Sequence, residues 1–148
     1  MAEEGKKIPT GIAGLDEILD GGLEEKRVYL VTGDSGSGKS IFGLQYIVHG
    51  LQKGENAIYV TINEKPEDIL EEAKSLGWDL EKYISSNNLI LLDIIRYVDL
   101  GATLSVRQMM ADLEKHIRSN HAKRIVIDSV DYLVLRAAES QRDRKSVV

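Results

Sequence analysis

The chain has 148 residues, of which 43% are hydrophobic and 29% charged, and its formal net charge is −5. This is enough for one compact domain with a buried core; it argues against disorder and against a broad nucleic-acid footprint. With no cysteine the chain has neither a disulfide framework nor a thiolate metal site.

The opening MAEEGKKIPT has no apolar core of the signal-peptide kind, and no apolar run approaches the ~20 residues of a membrane span. A soluble, cytoplasmic protein without a membrane partner is expected. His49, His116 and His121 are isolated and read as surface or boundary residues. Lys123 with Arg124, and RDRK at 142–145, read as solvated positive spots. No repeat, low-complexity tract or linker divides the chain, so residues 1–148 are expected to form one domain.

PTGIAGLDEILDGG, at 9–22, predicts a short helix near 15–19 closed by Gly21 and Gly22. The apolar run at 27–32 predicts a first strand. Ile41, Leu44, Ile47, Val48 and Leu51 recur at helical spacing, with Gly54 in a C-cap position. Residues 57–62 predict a second, buried strand. Pro66 opens a helix carrying Ile69, Leu70, Ala73 and Leu76, which Gly77 stops. A third strand is expected at 89–92. Val106, Met110, Leu113 and Ile117 share one predicted helix face, with Met109 and Met110 as core filler. Residues 125–127 predict a fourth strand ending in Asp128, and 132–135 is a further apolar run of open type. Strands separated by helical segments indicate an α/β fold with a mainly parallel sheet flanked by helices.

Between the first predicted strand and the first long helix lies GDSGSGKS, which fits GxxxxGK[ST]. Such a turn converges backbone N–H groups on an anion, and Gly33, Gly36 and Gly38 relieve the steric cost of its path past Asp34, Ser35 and Ser37. The helix that follows aims its N-terminal N–H groups at the same anion. Lys39 is placed to reach β- and γ-phosphates, and the Ser40 hydroxyl to coordinate Mg²⁺. Downstream, RIVIDS ends an apolar strand in one carboxylate, and Asp128 is expected to hold Mg²⁺ through its water shell.

PTGIAGLDEILDGG, GDSGSGKS, YVTINEKPEDIL, LGWDLEKY and RIVIDSV, in that order, resemble the KaiC-like ATPases of the RecA superfamily over residues 9–130. The resemblance implies a RecA-type P-loop core that binds ATP or ADP with Mg²⁺, assembled with ATP between subunits, so a homo-oligomer is expected. Members of this family carry two adjacent glutamates after the second strand, the first assigned to polarising the attacking water. Here those positions hold Asn63 and Glu64. Asn63 orients water but accepts no proton. Glu64 remains as a candidate base, or simply as a charge favouring the next helix; Asp131 is a more distant candidate. The resemblance also implies a further strand inserted between the P-loop strand and the Asp128 strand, and a C-terminally truncated or rearranged fold is expected.

Three functions compete at this level. One is slow ATP hydrolysis, with Lys39, Ser40, Asp128 and Mg²⁺ holding phosphate and Glu64 or Asn63 placing water. Another is a nucleotide-binding switch or assembly module without useful turnover. A P-loop small-molecule kinase is the third, opposed by the lack of a DxD-like acceptor motif and of an arginine-rich lid.

Overall fold

In the computed structural model residues 5–62, 64–94 and 106–131 are described. Their elements in chain order are β1 (Lys7–Ile8), α1 (Leu15–Ile18), β2 (Leu23–Glu24), α2 (Lys39–Gln52), β3 (Ala57–Thr61), α3 (Pro66–Ser75), α4 (Glu81–Ser85), β4 (Leu89–Asp93), α5 (Val106–Asn120) and β5 (Arg124–Asp128). β1 and β2 pair antiparallel; β4, β3 and β5 form a parallel sheet in that order. In register, Ala57 faces Leu89 on one side and Arg124 on the other, and Thr61 faces Asp93 and Asp128.

β3 is buried at all five positions, as expected for a central strand covered on both faces. Its alternating side chains divide the core in two. Ala57 and Tyr59 pack with Leu44, Ile47, Val48 and Leu51 of α2 and with Ile69 and Ala73 of α3. Ile58 and Val60 pack with Met109 and Leu113 of α5. The helix stops expected from the sequence are present: Gly54 and Gly77 both have positive φ (81° and 83°) just past their helices.

Four expectations are corrected. Residues 27–32 form no strand; Val28, Tyr29, Leu30 and Val31 are 100%, 46%, 74% and 44% exposed. A strand needs a ladder, and among the described residues none pairs with this segment or with the outer edge of β5. On α5 the inward residue is Met109, while Met110 is half exposed, because the buried face runs through Met109 and Leu113; the Val106 side chain lies outside the described ones. Ile41 and Leu76 sit at helix ends and stay open to solvent. Arg124, expected on the surface, is 1% exposed. Short β1, β2 and α4 were not expected. The run 132–135 and the basic run 142–145 lie outside the described residues.

Arg124 is buried because it is bonded on several sides. Its Nε donates to Glu55 Oε2 at 2.6 Å, and Nη1 donates to the carbonyls of Pro9 (2.8 Å) and Tyr46 (3.0 Å). The guanidinium also lies 4.6 Å from the centroid of the Tyr46 ring. One residue thus ties the start of β5 to α2 and to the N-terminal segment. That segment has its own lock: the Thr10 amide and hydroxyl both donate to Asp16 Oδ1 at 2.7 Å, and the Gly11 amide donates to Oδ2. Loss of hydration pushes the Asp16 carboxyl up, but these donors outweigh it and hold it below the usual range. Gln45 of α2 donates to the Gly11 carbonyl, and His49 packs where a Gly11 Cβ would stand. Burial first, then the charges of Arg124 and Lys53, lower the His49 pKa.

α2 passes over Arg124 at Gly50, where a Cβ would run into Nε and Cδ of the guanidinium. Alanine is the better helix former by ~1 kcal/mol, yet Gly50→Ala is expected to destabilise the protein by about 1–3 kcal/mol through overpacking. Urea denaturation measures it, and a stabilised variant would contradict the close approach.

Candidate functional site

The loop preceding α2 is built from backbone geometry more than from side chains. Gly38 is the N-cap of α2 with φ +93°, a region costly for any residue with a Cβ. At Gly33 a Cβ would stand 2.5 Å from Ser37 Oγ, so a larger residue there would make the Ser37 hydroxyl turn aside. The Ser37 amide donates to the Asp34 carbonyl at 3.1 Å. Lys39 folds over this turn, its Nζ donating to the carbonyls of Gly33 (2.7 Å) and Asp34 (2.9 Å). Asp34, Ser35, Gly36 and Ser37 are exposed, and Ser40 is half-buried in the first turn of α2.

The contacts of α2 with β5 fix where this loop lies. Gly50 meets Arg124, and Gly43 lies so close to Val126 that a Cβ there would be 2.9 Å from Cγ1. Going back along α2 therefore means going forward along β5. From Gly43 another three residues, ~4.5 Å of helix, lead to Ser40; from Val126 another two, ~6.6 Å of strand, lead to Asp128. The N-terminus of α2 and the C-terminal end of β5 come to the same end of the sheet. Ligands of open parallel sheets bind at that end.

Asp128 is half-buried and accepts a hydrogen bond on Oδ2 from the Tyr59 hydroxyl at 2.8 Å. Burial, then the charge and hydrogen bond of Asp128 and the charges of Glu64 and Glu72, push the Tyr59 phenol far up, so it stays a neutral donor. Glu64 follows β3 in a turn tied by Thr61, whose hydroxyl donates to the Glu64 carbonyl (2.7 Å) and accepts from its amide (3.2 Å). Partial loss of hydration, then the negative charges of Glu72, Asp128 and Asp68, raise the Glu64 carboxyl above its usual range. Asn63 lies outside the described residues.

The residues singled out in the sequence thus fall in two groups at one end of the sheet: residues 33–40 around the start of α2, and Asp128 with Glu64 at the ends of adjacent strands paired in register at Thr61 and Asp128. Tyr59 and Thr61 were not anticipated. Their signal is faint: two hydroxyls, two residues apart, in the otherwise apolar AIYVTI.

A parallel sheet flanked by helices, with a GxxxxGK[ST] turn feeding a helix at its carboxyl end, defines a P-loop domain of the RecA kind. A family model described as "ATPase: KaiC" matches residues 8–148, and the chain belongs to this family of KaiC-like ATPases. It is 41% identical over 129 residues to the circadian clock oscillator protein KaiC of Prochlorococcus marinus, covering 84% of this chain and 25% of that protein. It is 36% identical over 141 residues to a UPF0273 protein of Pyrococcus furiosus, covering 88% and 57%. A crystal structure of a KaiC-like protein from Pyrococcus horikoshii superposes with a TM-score of 0.79 at 32% identity, covering 89% of this chain and 57% of that one. The chain thus spans a quarter to somewhat over half the length of these relatives. Membership of the family supports nucleotide binding in general. Among the described residues no helix is long and apolar enough to cross a membrane.

The raised Glu64 carboxyl is directly measurable. Carbon-detected NMR titration is expected to place its midpoint above the ordinary glutamate value, and Glu72→Gln is expected to lower it. The folded chain then holds this proton more tightly than the unfolded chain, so the contribution of Glu64 to stability is full at low pH and is lost as pH rises through the folded-state pKa. A Glu64 midpoint unmoved by Glu72→Gln would show that the repulsion is absent.

Proposed function

We propose that this chain acts as a single nucleotide-binding domain that holds Mg-ATP and ADP in the turn 33–40 and hydrolyses ATP slowly. The observation that carries this reading is the Lys39 ammonium held over a glycine-built turn at the start of α2, with α2 running back along β5 so that Ser40 and Asp128 share one end of the sheet. Two of the three Lys39 donors lie on loop carbonyls, and the third is assigned to a β- or γ-phosphate oxygen. The loop amides and the end of α2 complete the phosphate cradle.

The residues present suit a magnesium ion: the Ser40 hydroxyl and the Asp128 carboxylate are hard oxygen donors, the second acting through water. Among the described residues no three His, Asp or Glu side chains are grouped to hold a metal unaided, which suits an ion completed by phosphate oxygens and water. When bound, Mg²⁺ supplies charge neutralisation on the transferring phosphoryl group. Glu64, with its raised carboxyl, is assigned to accepting the proton of the attacking water, and Asn63 to orienting that water. The missing first carboxylate is why turnover is slow; loss of a general base costs about 10²- to 10⁴-fold. The same substitution favours the second reading, a nucleotide switch that holds ATP or ADP without useful turnover.

Calorimetry tests the cradle: Lys39→Ala is expected to abolish measurable ATP and ADP binding in a folded protein, and unchanged affinity would remove the assignment. Single-turnover hydrolysis separates the two readings. A slow rate in the parent chain that rises with Asn63→Glu supports the ATPase, whereas no product in either protein leaves the switch.

The run 28–31 is exposed and apolar, and β5, with Ile125 37% exposed, has among the described residues no strand on its outer edge; each is a margin open to pairing. A homo-oligomer, most simply a closed dimer, is the assembly proposed for them. Light scattering across a dilution series is expected to show more than one chain per particle. A single monomer mass at high concentration would mean that these margins are covered within one chain.

A further inference from the structure

The hydroxyl of Tyr59 has no counterpart in the sequence motifs, yet it sits on the carboxylate to which the proposed function gives the metal's water shell. Tyr59 is the middle residue of the central strand and 2% exposed. Its ring is packed in the core layer under α2, with Cε2 3.8 Å from the place of a Gly43 Cβ. A ring so enclosed has one orientation, and a buried phenol hydroxyl needs a partner. The partner is Asp128 Oδ2, at 2.8 Å. Neighbouring apolar positions of β3 do the packing without any polar tip, so a phenylalanine would satisfy the core; the hydroxyl is explained only by what it bonds.

We propose that Tyr59 is a positioning residue for magnesium: by occupying Oδ2 from a fixed ring, it holds the Asp128 carboxylate in one rotamer and assigns Oδ1 to the water shell of the ion. This rests on the reading of Asp128 as the magnesium carboxylate. Because the same ring packs beneath α2, four residues after Lys39, the phosphate turn and the metal carboxylate are set in relation to each other by one side chain. An outer-shell partner of this kind orients a ligand without touching the metal, and its loss weakens metal affinity while leaving nucleotide contacts in place. It differs from a purely structural tyrosine, whose loss would lower stability with and without metal alike.

The test titrates Mg²⁺ into the full chain holding a fixed concentration of a fluorescent ADP, for the parent, Tyr59→Phe, Asp128→Asn and the double variant. Tyr59→Phe is expected to raise the half-saturating Mg²⁺ concentration roughly tenfold. ADP affinity in excess chelator and the urea midpoint without metal are expected to stay near the parent's. In the Asp128→Asn background the phenylalanine should add nothing further, since the two act through one contact. If Asp128→Asn weakens Mg²⁺ and Tyr59→Phe does not, the positioning role is overturned and the magnesium assignment stands. If Asp128→Asn itself leaves the Mg²⁺ dependence unchanged, that assignment fails and the role of Tyr59 falls with it. A second measurement needs no tyrosine variant: in the parent chain labelled at tyrosine Cζ, adding Mg²⁺ to the ADP complex is expected to shift the Tyr59 signal. A signal that does not move overturns the proposal.

Discussion

The Arg124 guanidinium is taken wholly out of water; its Nε and Nη1 find partners inside the protein while Nη2 has none among the described residues, and the bonds it does make organise the rest of the molecule. Its bonds reach Glu55 just beyond α2, the Tyr46 carbonyl within α2 and the Pro9 carbonyl of the N-terminal segment. Those partners surround the group only if α2 crosses the first residue of β5 at Gly50, where a side chain would collide with it. The N-terminal segment must also fold back over α2, which the Thr10–Asp16 lock and the Gln45–Gly11 bond secure. With the C-terminal part of α2 pinned at the start of β5, and the Gly43–Val126 contact setting its course, the N-terminal end of the helix has one place to go. That place is the end of the sheet where β5 closes in Asp128.

The site therefore inherits its geometry from an ion pair at the opposite end of the same helix. Arg124 begins the five-residue β5 and Asp128 ends it, so only the three residues between them separate the group that positions α2 from the carboxylate that α2 is positioned toward. Between them the central strand contributes polar side chains that face the same end. Thr61 shapes the turn that carries Glu64, and Tyr59 reaches across to Asp128. Buried hydroxyls in a strand cost free energy unless each is bonded. Here each is bonded to a residue of the candidate site, so the same contacts that satisfy the core also order the site.

The margin beyond β5 has the opposite character. The inner edge of β5 is paired along its length with β3, whereas the outer edge has no strand beside it among the described residues. Residues 27–32 have the composition of a strand and are exposed instead. Apolar content alone does not make a strand, because the backbone's donors and acceptors must be matched by a neighbour. The turn 33–40 runs directly into α2, which anchors it on its C-terminal side.

Much of this was legible in the chain. The glycine pattern of 33–40, the helix stops at Gly54 and Gly77, the buried strand at 57–62 and the strand ending in Asp128 are local properties, set by backbone sterics and by the spacing of apolar residues within a few turns or steps. The family was legible for the same reason, since its blocks are short ordered runs. The pairing of strands, the unpaired state of 27–32, the inward turn of Met109 in place of Met110 and the burial of Arg124 were not. The Arg124–Glu55 and Tyr59–Asp128 contacts each join residues 69 positions apart, and no periodicity extends that far. The sequence by itself determined which segments could be helix, strand or glycine-rich turn, because those choices are made by neighbours in the chain. Tertiary structure alone decided which charge is buried, which strand finds a partner and which hydroxyl meets the carboxylate, because those depend on desolvation and pairing between segments brought together only by folding.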